Sequence, residues 1–106
     1  MIVRVVRLTL EPQHVEAFDA LFHKHHADIE RQAGCHGVTL LSDPSDSRVR
    51  GTLSRWASES HLNAYRKSEL FGVVWPATKA LFGAPPEVWS YEVVEPTLRL
   101  SLAFDS

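Results

Sequence analysis

The chain is predicted to be a single α+β domain with the order β-α-β-β-α-β. Three observations predict it. Four short runs rich in Val, Leu and aromatic residues are separated by two stretches whose apolar residues recur at helical spacing. Serine–glutamate pairs at 58–59 and 68–69 are helix-start signals, a hydroxyl cap followed by a carboxylate near the positive end of the helix dipole. Gly and Pro residues fall between the runs, where the chain must turn.

The first run, residues 2–10, is a strand with apolar residues on both faces: Ile2, Val6, Leu8 and Leu10 on one side, Val3 and Val5 on the other. Such a strand belongs in the middle of a sheet covered on both sides, and Pro12 ends it because proline brings no amide to the ladder. Residues 13–32 switch to helical spacing, with Val15, Phe18, Phe22 and Ile29 on one stripe and Leu21 on its shoulder. Gly34 suits the left-handed position that follows a helix.

Residues 36–42 and 48–56 read as the second and third strands around the turn Asp43-Pro44-Ser45-Asp46. Gly51, Thr52 and Ser54 make the third strand thin, leaving space on one face, and a glycine inside a strand also suits a bulge. A short helix is expected near 59–67 and another from 69, with Phe71, Val74, Trp75, Thr78 and Phe82 on one stripe. Pro76 removes the bond to the Gly72 carbonyl, so this helix should kink or restart there with Trp75 pushed out of helical geometry. Residues 87–94 alternate as a fourth strand, Trp89, Tyr91 and Val93 on one face, Val88 and Val94 on the other. The order is that of a ferredoxin-like domain over 1–94, an antiparallel sheet with helices on one face. The remaining residues, 95–106, form an extension that also alternates and reads as a fifth strand, at an edge or on a partner.

Helices on one face leave the other apolar face of the sheet without cover, whether that is the face of Trp89 and Tyr91 or the face of Val3 and Val5. A homodimer with sheets face to face is the expected solution. The 106 residues allow one domain. A net charge of −2 with no massed Lys or Arg argues against nucleic-acid or anionic-membrane partners. The opening MIVRVVRLTL is too short and too charged for a signal or a span, and the lone Cys35 suits a reducing compartment, so a cytoplasmic location is expected.

Four segments carry a family resemblance: VRLTLEP at the first strand and turn, AGCHGV after the first helix, RW followed by SESHLNAYRKSELF, and PPEVWSYEVV at the end. Across about residues 1–94 the chain resembles the antibiotic biosynthesis monooxygenase family of the dimeric α+β barrel superfamily. The resemblance implies a dimer and a ligand pocket between sheet and helices. It also implies an activity drawn from cofactor-independent oxygenation of quinol-like or polyphenolic compounds, isomerisation, or haem degradation. In the haem-degrading branch the pocket carries an asparagine, a tryptophan and a haem-ligating histidine. Val6, Tyr65 and Trp75 stand at those positions here, and an indole cannot ligate iron. The expected cofactor is therefore none, haem included.

Val6, Phe22, Ser54, Phe71 and Trp75 are the expected pocket residues. Tyr65, His25 and His26 are the candidate catalytic residues: the tyrosine hydroxyl to polarise a substrate oxygen, and one of the two histidines, which flank the apolar stripe on either side, to act as a base near neutral pH. His23, His25 and His26 lack the carboxylate or cysteine that would complete a metal site. His14, His36 and His61 are expected on the surface and Cys35 as a small buried filler. The strand arginines Arg4, Arg7, Arg50 and Arg55 should mostly pair with acids at the sheet rim, with Arg4 on the Val6 face and within reach of an anionic ligand. The function expected is monooxygenation of a small hydroxylated aromatic or quinol. The alternatives are a non-catalytic dimer that binds a small apolar molecule and, third, an isomerase of a small hydroxy-ketone.

Overall fold

The computed structural model describes residues 1–94. In chain order these form β1 (Ile2–Thr9), a short 3-10 turn (Pro12–His14), α1 (Val15–Glu30), β2 (Cys35–Asp43), β3 (Asp46–Trp56), α2 (Glu59–Arg66), α3 (Glu69–Lys79) and β4 (Glu87–Glu92). The strands make one antiparallel sheet in the order β2-β3-β1-β4, the ferredoxin-like arrangement with β1 in the interior. The alternating segment read as a fifth strand lies outside the described residues.

Strand alternation sorts the sheet into two faces. Val6, Leu8 and Leu10 pack with Phe18 of α1, while Phe22 and Ile29 of α1 enclose Val38 of β2. On the opposite face Val3 pairs with Tyr91 and Val5 with Trp89, and Val5 also lies against Leu53. The two apolar faces considered from the sequence are therefore one and the same. Trp89 is 39% and Tyr91 59% exposed there.

Three local expectations are corrected. Alternation divides the thin stretch of β3: Thr52 and Ser54 face the helices, but Gly51 pairs with Arg7 and Leu41 on the outer side. The ladder runs regularly through Gly51, and the sheet's irregularities lie instead at Cys35/Gly37 and Ser42/Asp43. β4 ends at Glu92, short of Val94. Finally, α3 passes through Pro76 without interruption and keeps Trp75 helical. Both Gly72 and Pro76 are exposed, so water can take the carbonyl that proline leaves unbonded, and the glycine presents no side chain to crowd the ring.

The helix starts follow the chemistry of their serines. Ser58 Oγ accepts from the His61 N–H (3.3 Å) and Ser68 Oγ from the Phe71 N–H (3.1 Å). Ser58 Oγ also hydrogen-bonds His61 Nδ1 at 2.7 Å. That bond holds the imidazole against Gly34, which has the left-handed φ of +79°. His61, expected as a surface residue, is thus half-buried and closes the end of α1.

Gly34 meets two constraints at once, since an added Cβ would also fall 2.3 Å from His61 Cγ. Gly34→Ala is expected to lose about 1–2 kcal/mol from backbone strain alone, and more from displacing the ring. In urea unfolding, combining it with His61→Ala should return the steric part and leave the backbone part, so the two changes should be less than additive.

Candidate functional site

Between the helix-bearing face of the sheet and the helices lies a cavity of about 90 Å³. β1 contributes Arg4, Val6 and Leu8 to it, and β3 contributes Thr52, Ser54 and Trp56. α1 adds Phe18, Phe22 and His25; Tyr65 comes from α2, and Phe71, Trp75 and Thr78 from α3. The cavity therefore brings together Val6, Phe22, Ser54, Phe71, Trp75, Tyr65 and His25 of the residues singled out from the sequence. His26 is not among its walls.

The wall is a run of aromatic rings. Trp56 stacks on Tyr65 (5.1 Å between centroids, 20° between planes), Tyr65 meets Phe71 edge-on (5.3 Å, 76°), and Phe71 stacks on Trp75 (5.8 Å, 8°). Trp75 in turn meets Phe82 edge-on at 5.8 Å and 72°. Such pairs add roughly 0.5–1.5 kcal/mol each beyond their area. The run ties β3, α2, α3 and the segment after α3 into one wall, and Trp75 is a member of it with both neighbours in contact.

His26 is occupied elsewhere. Its Nε2 lies 2.9 Å from the Val38 carbonyl, and because a carbonyl only accepts, the ring carries its proton on that nitrogen. One turn later the Glu30 carboxylate accepts from the Val38 N–H at 3.1 Å. β2 is an edge strand, and these two side chains of α1 satisfy the backbone groups it turns away from the sheet. His26 also stacks on Phe22 (5.0 Å, 28°). It is a clamp between helix and edge strand, which spacing along the chain could not reveal because its partner is twelve residues away. His25, on the other flank of the stripe, reaches the cavity.

Among the described residues no three His, Cys, Asp or Glu side chains gather in a way that could bind a metal ion. His14, expected on the surface, is half-buried with Nδ1 shielded from water and without a hydrogen bond, 3.9 Å from the Glu11 carboxylate. His36 is exposed. Cys35 is half-buried, and burial pushes its thiol above the usual value, which keeps it protonated and a poor nucleophile at neutral pH.

Polar chemistry in the cavity is sparse. Trp56 Nε1–H donates to Ser54 Oγ at 3.0 Å, and Thr78 Oγ1 donates to the Val74 carbonyl at 2.8 Å. The Tyr65 hydroxyl makes no hydrogen bond among the described residues. Burial pushes its pKa up to about 12, with the nearby Arg4 charge acting the other way. At neutral pH it is a donor and not a base. The strand arginines divide as expected at the rim, with Arg7 on Asp43 (3.2 Å) and Arg50 held by both oxygens of Asp19 (2.9 and 3.2 Å). Arg55 differs, donating to the His36 carbonyl at 3.3 Å rather than to an acid.

The raised Tyr65 value has a stability consequence of definite sign. Folding disfavours the phenolate, so the group's contribution is complete below the unfolded value near 10 and is lost as pH rises through about 12. Urea midpoints should fall more steeply with pH across that window in the native chain than in Tyr65→Phe, and parallel slopes would show that the phenol is not buried as described.

Comparison with known proteins agrees with this architecture. The profile of the antibiotic biosynthesis monooxygenase family matches residues 1–74. Comparison with curated proteins finds no match. Among solved structures, a Caulobacter crescentus protein that carries the family's name superposes with a TM-score of 0.83 at 21% identity, covering 89% of this chain and 90% of its own. Another of that name, from Deinococcus radiodurans, gives 0.83 at 15% identity over 92% and 96% of the two chains. A conserved protein of Methanosarcina mazei Go1 gives 0.81 at 19% identity over 87% and 92%. At these identities the structures speak to fold, and the profile match speaks to kinship. On the strength of that match the chain belongs to the antibiotic biosynthesis monooxygenase family.

Proposed function

We propose that the protein is a monooxygenase that uses no metal, flavin or haem and acts on a small hydroxylated aromatic or quinol. The observation that carries this reading is the cavity itself, an aromatic-walled space that among the described residues has one histidine, His25, and one phenol without a hydrogen bond, Tyr65. Flat rings enter such spaces by stacking, and a few convergent polar groups fix their orientation. Family membership supports the reaction class.

In this reading His25 takes the proton of a substrate hydroxyl, and the Tyr65 O–H hydrogen-bonds the resulting phenolate. The phenolate passes one electron to dioxygen, and the two radicals combine at a ring carbon that still bears hydrogen. The peroxide takes up a proton; the O–O bond then breaks with loss of that carbon's proton, releasing water and leaving a quinone. One oxygen atom ends in the product and one in water, and the substrate is the only reductant. The apolar walls favour this course by keeping water away from the peroxide.

Haem fits neither the residues nor the space. Val6, Tyr65 and Trp75 occupy the positions that serve haem in its degraders, an indole does not ligate iron, and about 90 Å³ admits no macrocycle. A single ring is closer in scale, since an engineered cavity of about 150 Å³ takes benzene. The sparse polar lining also suits the second reading, a non-catalytic small-molecule binder, and turnover separates the two.

We also propose a homodimer formed through the outer sheet face, where Val5, Leu53, Trp89 and Tyr91 lie together. Sedimentation should give about twice the 11.9 kDa chain mass, with Trp89→Asp shifting the species to one chain. For the activity, dioxygen uptake should exceed the buffer rate with at least one member of a phenol and quinol panel. His25→Ala should lower it by about a hundredfold, the scale of general-base catalysis, and Tyr65→Phe by about tenfold. Uptake indifferent to both changes, beside saturable ligand binding, would assign the chain to the non-catalytic reading.

A further inference from the structure

We infer that one end of the cavity is an anion subsite, in which Arg4, together with the hydroxyls of Ser54 and Tyr65, receives an ionised oxygen carried by the aromatic ligand. This rests on the cavity being the ligand site, as proposed above, and it adds the charge of what enters.

The placement follows from register. Arg4 sits in the middle of β1, directly opposite Ser54 of β3, and both side chains face the cavity. Cross-strand partners hold their Cβ atoms about 4.5–5.5 Å apart, so the guanidinium stem and the serine hydroxyl share one patch. Ser54 accepts from the Trp56 indole, and the Trp56 ring stacks on Tyr65. The tyrosine in turn lies near enough to Arg4 that each alters the other's ionisation. One cation and two hydroxyls are thereby gathered at a single corner of an apolar space.

What marks this corner is that its donors are unspent. Arg7, Arg48 and Arg50 each hold an aspartate, at 3.2, 3.0 and 2.9 Å respectively, and Arg55 holds a carbonyl at 3.3 Å. Arg4 alone of the strand arginines has neither hydrogen bond nor ion pair among the described residues, although it is partly buried. The charge that most depresses its ionisation, after burial itself, is another cation, Arg66, also without an acidic partner among those residues. The Ser54 proton and the Tyr65 proton likewise find no acceptor among them. Partly desolvated cations and hydroxyls without partners are costly. A ligand oxygen bearing negative charge would satisfy all three donors at once, and a neutral apolar ligand would satisfy none. In a chain of net charge −2, two arginines that influence each other and have no acidic partner among the described residues are a local feature rather than a general surplus of base.

A phenolate and a carboxylate share this chemistry, and the test separates them with single-ring probes, the smallest aromatic anions and their neutral counterpart. Binding of benzoate and of its neutral isostere benzamide is followed by amide NMR titration. Ionisation of bound 4-nitrophenol is followed by its visible absorbance. Benzoate should bind about tenfold or more tightly than benzamide, with shifts at Arg4 and Ser54, if a carboxylate is accepted; bound 4-nitrophenol should ionise at lower pH than free if a phenolate is. In Arg4→Gln benzoate should lose far more affinity than benzamide, so that the preference falls to near parity, and in the native chain it should shrink as salt is raised. Equal or absent binding of benzoate and benzamide together with unshifted ionisation of 4-nitrophenol would overturn the subsite, as would a preference that survives in Arg4→Gln. If that variant does not fold, the native comparison and its salt dependence decide by themselves. Oxygen uptake plays no part in this readout, so the oxygenase reading and the anion subsite can fail independently.

Discussion

The pairing of β1 with β3 is the constraint on which the rest of the molecule depends. Ile2 faces Trp56, Arg4 faces Ser54 and Val6 faces Thr52, so the residues that build the cavity floor are set by one register. Side chains alternate across a strand with a period of two, and a slip of one residue would send Arg4 and Val6 to the outer face and bring Val3 and Val5 in. That alternative would place a guanidinium on the outer sheet and leave the helices packed on different side chains. The registry of an interior strand thus determines both what is buried and what remains available for chemistry.

Two sets of contacts then hold the helices over that floor. The chain of rings from Trp56 through Tyr65, Phe71 and Trp75 to Phe82 fastens α2 and α3 to the sheet. His26 and Glu30 fasten α1 to the backbone of Val38 on the edge strand. The division of labour between neighbouring histidines follows: the 100° turn between successive helical residues sends His26 to the strand edge and His25 to the cavity. The cavity is bounded on one side by groups engaged with one another and holds Arg4, which has neither hydrogen bond nor ion pair among the described residues.

Much of the fold is legible in the sequence because it is written in local chemistry. Ser58 and Ser68 announce their helices by hydroxyl caps, Gly34 announces the end of α1, and the 18-22-29 stripe announces its buried face. Pro76 misleads because the cost of proline depends on whether the lost bond faces water, and that is a tertiary fact. The site is less legible for the same reason. Alternation alone puts Arg4 on the face of Val6. That Arg4 has no acid beside it among the described residues, while Arg50 has Asp19, thirty-one residues away, emerges only when distant segments meet. His61 reads as a surface residue until Gly34 is seen beneath its ring.

In the proposed function the ligand's own electrons drive its oxygenation in the aromatic cavity. Isotope-labelled dioxygen tests it most directly, because labelling separates oxygenation from simple oxidation. In a reaction with a single-ring phenol or quinol, the account predicts one labelled oxygen in the quinone and one in water, in amounts that scale with protein. A quinone free of label with labelled hydrogen peroxide beside it, or label entering at the same rate without protein, would contradict it.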